Sequence, residues 1–347
     1  MKKNLIKLNI VMSIKFRLLG KPGNDNALMI WINSGTKTYR VLFDCGENLL
    51  SELKHSDITS IDYLLFSHFH LDHAAGFDYF LRRNYDRPGK PVNIIGPAGT
   101  VGIIQNRLRG YIWNLVKDIP GEWMITEFNG KTIITYKLKT SEGFSKKHFI
   151  KKEKFTGTLI DNENFSISSV LLNHIIPSAA YRITEKDYFN IDKNMLSNLN
   201  FPPGKWLELV KDMLFDGNKI ITMDGKNYTL KNLRKLLLKK HAGESIAYMT
   251  DFIYDKLSVK QATALTKNCN TVFCESQYSS KDIKLAKKNY HLTAKQAAYL
   301  ARKARANKLF MFHISNRYNG INDYSFILNE AKKIFPETFF PVEWNLD

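Results

Sequence analysis

The sequence predicts an α/β protein, and three observations carry that expectation. Short apolar runs recur along the chain, helical stretches lie between several of them, and each run stops on a side chain able to do chemistry. "YRVLFD" ends at Asp44, "IDYLLFSH" at His68, "SISSVLLNH" at His174, "SIAYMTD" at Asp251, "NTVFCE" at Glu275 and "KLFMFH" at His313. Runs of this length, rich in Val, Ile, Leu and Phe, suit buried strands, and the terminal residues then fall on loops at the strand ends.

Taken in order, "SIKFRLLG" supplies the opening strand. The stretch before it, "MKKNLIKLNIVMSIKF", starts like a signal peptide. Lys7 interrupts its apolar run, however, no small-residue cleavage site follows, and Met12 is a second candidate start. "AAGFDYFL" begins a helix just beyond His68. Another helix is "LTAKQAAYLARKARAN", where Thr293 and Gln296 form a capping box and Ala297, Leu300, Ala301 and Ala304 an apolar stripe. Roughly residues 184–245 break the rhythm: they are polar, interrupted by "FPPGK" and by a "MDGK" hairpin signal at 223–226. "TLKNLRKLLLKK" closes that segment as a helix, with Leu230, Leu233 and Leu237 on one face and Lys231, Arg234, Lys235, Lys239 and Lys240 around it. The expectation is one domain over 1–347 with an inserted basic arm at 184–245.

The chain of 347 residues can bury a full core, and its net charge of +18 points to a polyanionic partner that a positive surface captures at a distance. Cys45, Cys269 and Cys274 are too scattered for a disulfide framework and none sits in a CxxC pair, which favours a reducing cytoplasm. No apolar run reaches the length of a membrane span, so no membrane association is expected.

The densest chemical signal is "SHFHLDHAAG" at 67–76, with His68, His70, Asp72 and His73 inside six positions. With nine histidines in the chain, an HxHxDH match arises by chance on the order of a few times in ten thousand. After a strand, His68 and His70 can converge from an extended or tightly turned loop, while Asp72 and His73 point to the other side. One metal cannot take all four comfortably, whereas two adjacent metals can. Further ligands then come from the strand ends, where His174, Asp251 and His313 are the candidates.

HxHxDH after a hydrophobic strand resembles the metallo-β-lactamase superfamily, and other stretches are similar to its ribonuclease Z branch. These are "LFDCGE" (42–47), "IIGPAG" (94–99), "HIIPSAAYRI" (174–183), "YMTD" (248–251), "HLTAKQAAYLA" (291–301) and "HISNRY" (313–318), in family order over nearly the whole chain. The resemblance implies an αββα sandwich with two zinc ions at one edge. His68, His70 and His174 would bind one metal, Asp72, His73 and His313 the other, and Asp251 would bridge them. Imidazole and carboxylate ligands without thiolate favour zinc, with manganese or iron also compatible.

It implies, too, a phosphodiesterase that removes 3′ trailers from precursor tRNA with metal-activated hydroxide aimed by Asp72. His291, paired with Glu275, would be the general acid: the helix N-terminus lowers its basicity and the carboxylate restores it. Asp44 would orient a ligand from behind. The arm would hold the tRNA elbow, and the protein would be a homodimer. His55, His148 and His241 match no motif.

The pattern departs from the branch at "GENLL" after Cys45, at Cys274 where a histidine is usual, at Ala180 in place of glycine, and in the arm, where "NFPPGK" (200–205) keeps Pro202 and Gly204 only. An altered arm leaves a second expectation, a divergent hydrolase of the same fold acting on a small or cyclic phosphodiester. A third is a basic RNA-binding platform with a vestigial site, against which the full ligand set argues.

Overall fold

The computed structural model describes residues 14–34, 37–223 and 225–346. Residues 1–13, with the signal-like stretch and Met12, and Asp224 of the "MDGK" signal lie outside them. Two sheets dominate. The first has eight strands in chain order, from Ile14–Leu19 to His148–Lys154. The second has seven, ordered Thr338–Phe339, Lys308–Phe312, Thr271–Glu275, Ser245–Met249, Ile176–Glu185, Phe165–His174, Thr158–Asp161.

Each sheet contains a parallel block. In the first it runs from Thr38–Phe43 through Tyr63–Leu65 and Val92–Pro97 to Glu122–Phe128; in the second, from Ser245–Met249 through Thr271–Glu275 and Lys308–Phe312 to Thr338–Phe339. Parallel strands place all their carboxyl ends on one edge, where ligand sites gather in open α/β sheets. Asp44, His68, Asp251, Glu275 and His313 all leave their strands there.

The inner core joins the two sheets through Phe43, Phe128, Tyr181 and Tyr248, with Phe43 stacked on Tyr248 at 5.2 Å between ring centres. Outside the first sheet a second core packs Phe66, Phe77, Phe80, Trp123 and Phe144. Outside the second lies the helix Ala294–Ala304. Its capping box is formed, and Ala297, Leu300, Ala301 and Ala304 are buried as its periodicity predicts. Helices thus cover both outer faces of a sheet-on-sheet sandwich.

The segment between strands Ile176–Glu185 and Ser245–Met249 has its own small core of Leu196, Phe201, Leu207, Val210, Met223, Leu230, Leu233 and Leu237. Its helix, Leu230–Leu237, is shorter than "TLKNLRKLLLKK" predicts: Leu238–His241 is a strand paired with Tyr188–Ile191, so Lys239 and Lys240 leave the helical face. Arg234 is not a solvated cation either. Its guanidinium donates to the carbonyls of Leu209, Val210, Asp212 and Phe215. The helix expected at "AAGFDYFL" starts only at Phe77, after a short turn of helix at Leu71–Ala74. No helix among the described residues is long and apolar enough to cross a membrane.

Candidate metal centre

Three strand-end residues, Asp44, Asp251 and His313, have φ of 59°, 52° and 56°. This left-handed conformation is one that Asp and His tolerate better than most residues, and it turns each chain sharply off its strand. The "LFDCGE" loop then packs flat on the turn after the histidine motif. The Cys45 N–H donates to the His73 carbonyl and the Gly76 N–H to the Cys45 carbonyl, both at 2.8 Å. A methyl group at Gly76 would lie 2.2 Å from the Gly46 carbonyl oxygen, so only glycine permits this approach.

Asp44 is fully buried and organises what lies in front of it. Its carboxylate accepts from the Ser67 N–H (2.7 Å) and from the Ser67 hydroxyl, His73 Nδ1 and the Tyr248 hydroxyl (each 2.8 Å). Because the Ser67 proton goes to Asp44, the Ser67 oxygen is left to accept from His68 Nδ1 at 3.1 Å. His174 Nδ1 in turn donates to the Tyr290 carbonyl at 2.9 Å. All three rings are therefore held with Nδ1 as donor and Nε2 turned inward, the arrangement that presents a histidine to a metal.

What they face is Asp251. Its Oδ2 lies 3.5 Å from His73 Nε2 and from His174 Nε2 and 3.7 Å from His68 Nε2, and its Oδ1 lies 3.5 Å from His313 Nδ1. Asp72 Oδ2 lies 3.4 Å from both His73 Nε2 and His313 Nε2. Donor atoms gather in two groups that share Asp251: His68, His70, His174 and Asp251, and Asp72, His73, Asp251 and His313. Within each, the atoms lie within 4.8 Å of one another.

The residues fit divalent cations. Four donors at about 2.1 Å from a tetrahedral ion stand about 3.4 Å apart, which matches these separations. His68 Nε2 and His73 Nε2 are buried without a hydrogen-bond partner among the described residues, a cost that a cation there removes. Electrostatics point the same way. Burial pulls the His73 imidazole down, yet the Asp251 and Asp44 carboxylates outweigh it and raise it well above its ordinary value. His68, with burial dominant and His73 adding to it, is pushed down to about 2. The pocket thus calls for positive charge near Asp251 and keeps His68 neutral. Exposed His70 and half-exposed Asp72 open it to solvent.

A third group adjoins it. Glu275 is fully buried; its Oε1 accepts from the Phe252 N–H at 2.7 Å, and its Oε2 from His291 Nδ1 at 2.9 Å and the Leu292 N–H at 3.2 Å. Burial lowers the His291 imidazole, but Glu275 outweighs it, and the balance lies at about 9. The His291 ring sits 4.9 Å from that of His174 and 5.6 Å from that of His313.

All nine residues singled out from the sequence, with Asp44 behind them, meet at one edge. Several supporting residues were not singled out. Ser67, Tyr248 and Tyr290 each adjoin or lie within a quoted motif, so adjacency was the available signal. Asn26, whose side chain accepts from the His313 N–H at 3.1 Å, lies just before the strand Ala27–Asn33 with no metal-like spacing. The unmatched histidines lie elsewhere: His148 pairs with Glu142 at 2.7 Å, His241 stacks on Tyr188, and His55 is exposed.

Two sheets face to face, helices outside and this donor set at the strand ends define a metal-dependent hydrolase of the metallo-β-lactamase fold. The fold of the metallo-beta-lactamase fold protein YhfI from Bacillus subtilis matches with a TM-score of 0.55 and 16% identity over 94% of this chain and 95% of that one. Closer in sequence is a ribonuclease Z of Deinococcus radiodurans, 35% identical over 94% of this chain and 97% of its own length. A ribonuclease Z of Anoxybacillus flavithermus is 30% identical over 85% of this chain and 82% of its own. Residues 21–195 match the family described as Anti-Pycsar protein Apyc1. The chain belongs to the ribonuclease Z family and, over residues 21–195, to the Anti-Pycsar protein Apyc1 family.

Proposed function

We propose that the chain is an endoribonuclease of ribonuclease Z type that removes 3′ trailers from precursor tRNA, leaving a 3′ hydroxyl. The observation that carries this reading is the pair of donor groups sharing Asp251 in a chain 35% identical to a ribonuclease Z. His68, His70 and His174 would hold one zinc ion, Asp72, His73 and His313 the other, with Asp251 between them. Cations bound there would lower the pKa of a water towards neutrality and offset charge growing on the phosphoryl oxygens.

The chain's own residues do the rest. Although burial raises it, Asp72 is held below the usual carboxylate range by its hydrogen bonds to His313 and His73, so it stays ionised and would accept a hydrogen bond from the attacking water and aim it. His291, protonated at neutral pH by virtue of Glu275, delivers its Nε2 proton to the leaving alkoxide. Segment 184–245 would act as the arm that holds the RNA away from the cut. A homodimer and a cytoplasmic location rest on family membership alone, and sedimentation tests the first.

The test is trailer release from a precursor tRNA by the zinc-loaded protein. If none is released while bis(p-nitrophenyl) phosphate is hydrolysed, the tRNA assignment is overturned and the phosphodiesterase one stands. That outcome would favour the second reading, a hydrolase of another small or cyclic phosphodiester. Its support is the altered "NFPPGK" and the match of residues 21–195 to a family not named for ribonuclease activity.

A further inference from the structure

Away from the metal edge, a cleft of about 810 Å³ lies between the helices Lys256–Leu265 and Ala294–Ala304. Lys256, Lys260, Lys267, Lys303 and Arg305 line it, all exposed and none in an ion pair among the described residues. Some cations elsewhere on this basic protein are committed, which sets apart a cleft that gathers five without an ion pair among the described residues. Lys240 pairs with Asp187 at 2.7 Å, Lys186 with Asp161, Lys90 with Asp62, and Arg234 is spent on carbonyls. Five exposed cations facing one cleft raise a local positive potential that an anionic ligand would relieve.

The lining has a single acid, Asp255, and it is already occupied. Its carboxylate accepts from the Ser258 N–H at 2.7 Å and from Asn173 Nδ2 at 3.1 Å, which hold it below the usual range against burial. The Thr263 hydroxyl, also in the lining, is buried without a hydrogen-bond partner among the described residues. At the far end the Arg182 guanidinium donates to the carbonyls of Leu265 and Lys267, fixing the helix terminus and the first of the distal cations.

Direction matters as much as charge. The cleft begins at Tyr254, three residues past Asp251, with an exposed ring at the end nearest the metal centre. From Lys256 to Lys267 the helix and its exit span about 16 Å at 1.5 Å per residue, long enough to face several consecutive phosphates. Cations along a groove with an aromatic at its mouth make a platform for single-stranded nucleic acid. A single inorganic phosphate could not reach both ends.

Resting on the RNA-cleaving reading above, we infer that this cleft is a backbone track for the single-stranded RNA flank of the substrate. It grips phosphates outside the bond being cut.

The test uses the full, zinc-loaded chain and its Lys260→Glu/Lys303→Glu variant, with two precursor tRNAs, one carrying a long single-stranded trailer and one a single-nucleotide trailer. For the variant, affinity for the long-trailer RNA should fall about tenfold or more at low salt, and its log–log salt slope should shrink by about 0.7 for each phosphate no longer neutralised. Affinity for the short-trailer RNA and hydrolysis of bis(p-nitrophenyl) phosphate should not change; the latter also shows that the variant is folded. A Lys260→Gln/Lys303→Gln variant should give a smaller loss of the same kind, and it replaces the Glu pair if that pair fails to fold. Equal affinity and slope on the long trailer, or an equal loss on both RNAs, would overturn the track. A wild-type protein that binds neither RNA would instead defeat the RNA reading on which it rests.

Discussion

The metal edge and the inserted segment are held by different means. At the edge most of the ligand side chains are backed by hydrogen bonds: Asp44 alone takes four, Glu275 takes three, and His174 leans on a backbone carbonyl. The segment is stabilised instead by eight buried apolar residues of its own and joins the sandwich through a two-stranded root, Tyr188–Ile191 against Leu238–His241. Geometry at the edge is over-determined, so losing one group there should cost chemistry. The segment folds on a local core, so it can be changed without moving the edge.

The sharpest way to break that contrast is Asp72→Ala. Turnover should fall about 10²–10⁴-fold or more, because one carboxylate both ligates a metal and orients the nucleophile, while RNA affinity changes little. Steady-state rates beside anisotropy titrations check both halves. Excising residues 190–240 should do the reverse. Tyr188 and His241 are paired, so a short linker closes the gap. Precursor affinity should then fall roughly 10–100-fold, because fewer phosphates are neutralised, with small-ester hydrolysis spared. Unaltered precursor cleavage after excision would show that the segment does not hold RNA.

A smaller effect probes the edge itself. His291 acts while protonated, so activity should decline as pH rises through its folded value, at or below about 9 once neighbouring cations pull it down. In Glu275→Gln the raising carboxylate is gone, and the alkaline limb of the pH–rate profile should move to lower pH. A limb that stays in place would remove His291 from the proton transfer.

Much of the edge could be read from the sequence because chemistry concentrates there. Apolar runs end on the very residues that parallel strands deliver to one side, and HxHxDH has almost no chance background. What could not be read is what depends on tertiary contact. Asn26 reaches the His313 N–H across 287 positions, and Tyr248 reaches Asp44 across 204. The segment's break in rhythm was legible, but not its charge. The pattern "KNLRKLLLKK" reads as one basic helix, whereas pairing with Tyr188–Ile191 converts its end to strand and carbonyl contacts absorb Arg234. The cleft cations carried no signal either, since two helices 38 positions apart line it.

The smallest expected effect lies at the root, where the two regions meet. Glu185 ends the strand Ile176–Glu185, and its Oε2 accepts from the Glu244 N–H at 3.1 Å, but its Oε1 is buried with no partner among the described residues. A Cβ on Gly243 would sit 2.2 Å from the Glu185 carbonyl oxygen, so the root cannot open to admit water without moving. Burial, aided by the Glu244 carboxylate, raises the Glu185 carboxyl to about 7, above its unfolded value. An acid raised on folding binds its proton more tightly in the native state, so it lowers stability above about pH 7 and ceases to do so as pH falls towards its unfolded value. Glu185→Gln removes the charge but keeps the acceptor for Glu244. It should therefore raise stability at pH 8 by about 1 kcal/mol, roughly 2 °C in Tm, and have almost no effect at pH 5. Because the root serves the segment and not the edge, small-ester hydrolysis should be the same in both proteins. A change in that rate would mean that the root is coupled to the metal centre after all.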